Sequence, residues 1–251
     1  MSDSILFDVT DGLARITLNR PERLNAIDAD AAARWRDIGA EVAERDDIGA
    51  VLFDAAGRAF CAGGDVRSMA DFPEASVIEA HADTIHDGHR LLRESDKPIV
   101  AAVQGPVAGG GLGFMLVADI IVASDEAHFS SKYSDIGLTP DCGVSTLLPE
   151  AVGARRALEL TLTSRRLSAA EALEWGLVTE VVAADGVAAR AREIADGWLA
   201  GATASFGQAK RLIRSAPYRS FRESLDDEAR TIAASFAGAD AQSRIAAFAR
   251  R

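Results

Sequence analysis

Pro98-Ile99-Val100-Ala101-Ala102-Val103, then Gln104-Gly105-Pro106-Val107-Ala108, then Gly109-Gly110-Gly111 and the apolar run Leu112 to Ala123 form the stretch that decides the fold. The opening six residues have β character, and the glycine-rich turn leads into the start of a buried helix. Only Gly113 and Asp119 interrupt the apolar run that follows. Glycines in such a turn let main chain approach a ligand closely, and the first turn of a helix offers N–H groups that have no partner within it. A transient oxyanion is a suitable guest, because two aimed N–H donors stabilise it by several kcal/mol. The glycine run alone fits tight packing equally well.

Outward from this stretch, the chain reads as alternating strand and helix, an α/β pattern. Ile5 to Asp8 and Ala14 to Leu18 predict two strands joined by the Asp11-Gly12 turn, and Gly49 to Asp54 predicts a buried strand. Between them Asp28 or Asp30 caps a helix through Trp35, Ile38 and Val42 to Arg45. Ala75 to Arg93 has helical spacing, with Val77, Ile85, Leu91 and Leu92 as inward positions. A strand or loop runs from Ala127 to Tyr133, and Pro149 to Leu162 reads as a helix. Ser168 with Glu171 three residues later is a capping-box pattern, and Trp175-Gly176 ends that helix. From Val187 onward the pattern is helical, over Val187 to Ala200, Ala204 to Ser215 and Ser220 to Phe236.

The 251 residues can bury a substantial core, and 48% hydrophobic with 26% charged residues is an ordinary globular composition. No apolar run reaches the ~20 residues of a membrane span, and Met1-Ser2-Asp3-Ser4 lacks the features of a secretory leader. A cytoplasmic protein without a membrane partner is expected. The net charge of −11 argues against general nucleic-acid binding, and any polyanionic ligand would need local cations. Cys61 and Cys142 do not make a disulfide framework and read first as small buried side chains. His81, His86 and His89 are spaced by five and then three residues, which does not place all three on one helical face, so no metal site is expected.

Two further segments flank the glycine run: Ala59-Phe60-Cys61-Ala62-Gly63-Gly64-Asp65-Val66 upstream and Gly137-Leu138-Thr139-Pro140-Asp141-Cys142-Gly143 downstream. Together the three resemble the crotonase (enoyl-CoA hydratase/isomerase) superfamily, and the resemblance runs from Ile16 to Arg214. It implies an α/β fold, a spiral of repeated ββα units with a C-terminal helical region. The corresponding division is an acyl-CoA-binding and catalytic core over residues 1–195 and a helical oligomerisation region over 196–251. It also implies a homotrimer or a dimer of trimers, and a coenzyme A thioester as substrate with no permanently bound cofactor.

Carried over by position, the resemblance makes the Gly64 and Gly110 main-chain N–H groups the oxyanion donors. Ala62 falls where the family's carbonyl meets the adenine ring. Arg23, beside Leu24 and Ala26, lies in the loop that meets the phosphates; Asp65 and Val66 also count among the coenzyme A-binding residues, Asp65 holding its own loop in shape. Lys210 matches a lysine used near the nucleotide. The two glutamates of the family's hydratases fall on Gly113 and Tyr133, neither a carboxylate, so two-glutamate hydration is not expected.

Asp141 remains as the acid–base. Phenylacetate-pathway-type isomerases have aspartate within the same Pro-Asp-Cys-Gly wording, followed by a match to Leu147-Leu148-Pro149. One carboxylate suffices to carry a proton from C2 to C4 of a 3-enoyl thioester. The residue types also admit a turn aspartate bonding its own backbone. In the 4-chlorobenzoyl-CoA dehalogenases, an aspartate at this position attacks the ring. Their Gly-Gly-Gly-Leu-Gly matches residues 109–113, their helper histidine falls on His86, and their tryptophan falls on Tyr133, a mismatch. Enoyl-CoA isomerisation is the leading expectation. Hydration (a lyase activity), dehalogenase-like hydrolysis and a non-catalytic acyl-CoA binder are the alternatives. Tyr133 and Phe114 are expected to shape the acyl pocket, and residues 67–95 to set the acyl chain.

Overall fold

A computed structural model describes residues 3–163 and 165–250. Its nine strands are β1 (Ile5–Thr10), β2 (Leu13–Leu18), β3 (Ala50–Ala55), β4 (Ile99–Val103), β5 (Val107–Ala108), β6 (Ile120–Ser124), β7 (His128–Ser130), β8 (Arg166–Ser168) and β9 (Glu180–Val182). The α-helices are α1 (Ala29–Glu44), α2 (Val66–Met69), α3 (Ala75–Glu94), α4 (Gly111–Leu116), α5 (Val144–Leu162), α6 (Ala169–Trp175), α7 (Val187–Ala200), α8 (Thr203–Ser215), α9 (Phe221–Ala237) and α10 (Ala239–Phe248). The larger sheet has the order β1-β2-β3-β4-β6-β9, and a smaller one runs β5-β7-β8. Apart from the β1–β2 hairpin, the larger sheet is parallel.

A parallel sheet must be covered on both faces, and the period-2 alternation of its strands divides them cleanly. Val51, Phe53, Ile99, Ala101 and Val103 join Trp35, Phe60 and Phe114 in the main core, beneath α1 and α3. Ala50, Leu52, Val100 and Ala102 face the other way and are covered by Val187, Ala191 and Ala195 of α7. The α/β architecture with C-terminal helices implied by the family resemblance is therefore present.

Local signals placed most ends correctly. Asp11 and Gly12 both take positive φ, as a two-residue hairpin turn requires. The Asp28 carboxylate accepts from Ala31 N at 3.0 Å, so Asp28 rather than Asp30 caps α1. Ser168 and Glu171 form the full capping box of α6.

The helix start expected after the glycines is α4, which ends at Leu116 before the chain turns into β6. Asp119 makes that turn: its carboxylate accepts Ile99 N at 2.8 Å and Arg214 Nη2 at 2.6 Å. One expectation needs correction, the start of α5. That helix begins at Val144, ahead of Pro149, because the Asp141 carbonyl accepts Val144 N at 2.9 Å and closes the turn. Pro149 has no N–H to give, and the helix kinks at Gly153, where φ is 78°.

Candidate active site

Three loops meet above the core. The first follows β3 and carries Cys61 to Asp65, the second joins β4 to α4, and the third precedes α5. The first two pack main chain on main chain: Ala108 N donates to the Cys61 carbonyl at 3.0 Å. A Cβ on Gly63 would lie 2.8 Å from Gly110 N, and one on Gly111 would lie 2.3 Å from the Cys61 carbonyl oxygen. Side chains there would force the strands apart, which is why the sequence needs glycine in both segments.

The neighbouring N–H groups are used. Asp65 N donates to the Ile27 carbonyl, and Gly109 N donates to that of Ser130. Those of Gly64 and Gly110 find no acceptor among the described residues. Both glycines line one cavity of about 450 Å³ together with Ala62, Met69, Tyr133 and Asp141.

Asp141 sits on the third loop, where Cys142 and Gly143 both have positive φ (50° and 73°). Tyr133 Oη donates to Asp141 Oδ1 at 2.5 Å. Burial and the nearby Asp141 charge hold the Tyr133 hydroxyl far above its ordinary pKa, so it remains a donor. Cys142 N donates to His86 Nε2 at 3.2 Å, which fixes the loop to α3. His86 thus stands one residue from Asp141 with one nitrogen occupied. Asp141 and His86 both line a second cavity of about 610 Å³, bounded by Val117, Pro140, Leu147 and Tyr218. Asp141 is shared by the two cavities.

A third hollow of about 250 Å³ is lined by Arg23, Leu24, Ala26, Asp65, Val66 and Arg67, and Val66 also borders the 450 Å³ cavity. This brings Arg23, Leu24, Ala26, Asp65 and Val66 together and sets Ala62 beside them. Leu24 and Asn25 take left-handed φ values, and Asn25 Nδ2 pins the loop by donating to Ala56 O at 2.9 Å and Ala59 O at 2.8 Å. Asp65 is buried between Arg20 at 3.2 Å and Arg23 at 3.5 Å. Burial raises its pKa, but the Arg20 hydrogen bond and the Arg23 charge outweigh that and hold it below the usual carboxylate range.

A family model described as enoyl-CoA hydratase/isomerase matches residues 8–251. The chain belongs to that family. It is 35% identical over 231 residues to the 1,2-epoxyphenylacetyl-CoA isomerase of Escherichia coli (strain K12), covering 91% of this chain and 88% of the relative. It is 34% identical over 243 residues to the 4-chlorobenzoyl coenzyme A dehalogenase-2 of an Arthrobacter species, covering 95% and 88%. The fold is similar to the crystal structure of an enoyl-CoA hydratase from Bacillus anthracis, with a TM-score of 0.93 and 26% identity over 98% of this chain and 96% of the other.

In this member of the enoyl-CoA hydratase/isomerase family, one carried-over position, Lys210, and one expected pocket residue, Phe114, have other surroundings. The Lys210 amine does not face the hollow of Arg23 and Arg67: it is buried and donates to Leu92 O at 3.1 Å and Lys97 O at 2.7 Å. Leu92 O is one of the last carbonyls of α3, which lack partners within the helix, so Lys210 caps α3 and ties α8 to the core. Burial lowers its pKa to about 8 despite Asp119 at 3.4 Å. Phe114 does not shape the acyl pocket either, being fully buried against Trp35 with ring centroids 4.8 Å apart. Both thiols are buried; burial pushes Cys61 up to about 12 and Cys142 well above its ordinary value, which disfavours the thiolate in both.

The histidine triplet divides. His81 lines the 450 Å³ cavity, whereas His86 and His89 line the other. His89 is buried and accepts from Trp35 Nε1 at 2.9 Å. His81 and Arg67 are the site residues that sequence reasoning missed. The signal for His81 was present, because it sits one turn before buried Ile85 and two before buried His89, on the inward stripe of α3. Arg67 lies on α2, too short a helix to show any periodicity.

Proposed function

We propose that this chain is an enoyl-CoA double-bond isomerase in which Asp141 carries the proton. The observation that supports it is the Tyr133-braced Asp141 carboxylate in one cavity with the unpaired N–H groups of Gly64 and Gly110. A thioester oxygen between those donors makes C2 acidic, because deprotonation places charge on the held oxygen. Asp141 takes the C2 proton of a 3-enoyl thioester, the C3=C4 pair moves into conjugation as a dienolate, and the same carboxyl returns the proton to C4. The coenzyme A portion leaves past Ala62 toward Arg23 and Arg67, which supply the local cations that a chain of net charge −11 needs for phosphates. The acyl chain has room beyond Asp141 in the 610 Å³ cavity.

The placement of His86 beside Asp141, with a dehalogenase among the relatives, supports a second reading, hydrolysis of a halogenated aromatic thioester. The apolar side chains exposed on α9 and α10, Phe221, Ile232, Phe236 and Phe248 among them, support the trimer or hexamer implied by the family resemblance.

Mass-spectrometric turnover of trans-3-hexenoyl-CoA tests the reading. Wild type forms the 2-enoyl isomer, and Asp141→Asn lowers the rate at least about 100-fold, the usual worth of a positioned acid–base. A 4-chlorobenzoyl thioester turned over in preference moves the assignment to the second reading. Binding without turnover of any thioester leaves a non-catalytic binder.

A further inference from the structure

Adding water across a 2-enoyl thioester requires a base that takes a proton from water beside C3 and a route for a proton to C2. Asp141 has Oδ1 occupied by the Tyr133 hydroxyl. Three other titratable side chains in the thioester cavity lie at its rim or are already paired: Glu79 is exposed, and exposed Lys132 is 2.7 Å from Asp135. His81 differs from them. It is half-buried on the inward stripe of α3, its ring meets Phe72 edge-on at 6.1 Å, and it lines the cavity with Gly64, Gly110 and Asp141.

We propose that His81 is a second proton carrier of this site, the base that adds water to 2-enoyl thioesters bound on Gly64 and Gly110. This rests on the reading above only for where the thioester oxygen sits. Burial pulls the imidazole below its usual pKa, against the charges of Asp141 and Asp28. That direction favours the neutral form that a base must have. In the step, the water oxygen bonds to C3 while His81 takes one of its protons, and the C2=C3 pair moves through C1 onto the thioester oxygen. The imidazolium then gives that proton to C2 as the oxygen pair returns. The product is the 3-hydroxyacyl thioester, and His81 ends neutral.

The test compares hydration of trans-2-hexenoyl-CoA with isomerisation of trans-3-hexenoyl-CoA in wild type and His81→Gln. Wild type is expected to add water, with kcat/KM falling on the acid side as the imidazole protonates. His81→Gln lowers hydration about 100-fold and removes that acid limb, and the ratio of hydration to isomerisation drops at least about tenfold. His81→Phe, which keeps a ring against Phe72, gives the same result if the glutamine variant does not fold. An unchanged ratio, an acid limb retained in both variants, or a wild type that adds no water overturns the proposal. Failure of the Asp141 reading shows separately, as isomerisation that survives Asp141→Asn.

Discussion

Gly113 stands where a family hydratase has a glutamate, and the space for that side chain has been filled. A Cβ built on Gly113 would lie 1.9 Å from the Cys142 carbonyl oxygen and 2.9 Å from the Cys142 Cβ. To reach a tolerable separation of about 3 Å, the Cys142 main chain must retreat by roughly 1 Å, since α4 is buried on every side and cannot yield. Cys142 is covalently next to Asp141, and its N–H is tied to His86. Gly113→Ala therefore perturbs both stability and chemistry. Overpacking of this kind costs about 1–3 kcal/mol, which for a chain of this size lowers Tm by about 2–12 °C. A 1 Å misplacement of a reacting group costs about 100-fold in rate. Thermal melting and the trans-3-hexenoyl-CoA assay read the two effects side by side. Gly113→Glu should fare no better, giving no gain of hydration, because the added carboxylate meets the same carbonyl first. A Gly113→Ala protein with unchanged Tm and isomerisation within twofold of wild type would refute the account of the Asp141 loop as wedged against α4.

Tyr133→Phe removes a hydrogen bond to a carboxylate, a contact type worth about 1.5–3 kcal/mol; freed to turn away, Asp141 should lose at least about tenfold in kcat, and a kcat within twofold of wild type would count against the bracing role. Arg23→Glu places a charge of the wrong sign in the Arg23–Arg67 hollow; at about 1 kcal/mol for a partly exposed charge, KM for a coenzyme A thioester rises about fivefold at low salt and less at high salt, whereas a salt-independent KM would show that the phosphates lie elsewhere. Burial lowers the His89 pKa to about 3, with the charge of His86 pulling in the same direction. Below the ordinary histidine value of about 6.5, the unfolded chain takes up a proton that the folded one refuses, so His89 lowers stability progressively as pH falls from about 6.5 toward 3. His89→Gln, which keeps an acceptor for Trp35, should flatten the dependence of Tm on pH over that window, and identical slopes in the two proteins would be the refuting result.

The fold was legible because main-chain demands leave marks in sequence. Asp11-Gly12, Asp28, and Ser168 with Glu171 each satisfy a local requirement where it arises, and Gly63 and Gly111 mark the place where two segments pack main chain on main chain. Lys210 and Phe114 were misplaced because their surroundings come from distant parts of the chain. Lys210 is held by carbonyls 118 and 113 residues away, and no local pattern announces a buried amine. His81 was overlooked because the three histidines were tested for a common face, whereas α3 passes between two cavities and presents one histidine to the first and two to the second. The early start of α5 was hidden by Pro149, an ordinary helix-opening residue that here lies inside the helix.

The donors proposed to hold the thioester oxygen are peptide groups, on two loops whose close packing leaves no room for a side chain at Gly63 or Gly111. The residues proposed to choose the reaction, Asp141, His81 and Tyr133, are single side chains projecting into the same hollow. On the proposed reading, activation of the carbonyl is inherited with the backbone, whereas the fate of the activated carbon is written in a few replaceable letters. A lineage built on such a chain can change its chemistry by point substitution without dismantling its fold, and a laboratory library confined to those three positions would explore new reactions while leaving the peptide donors untouched.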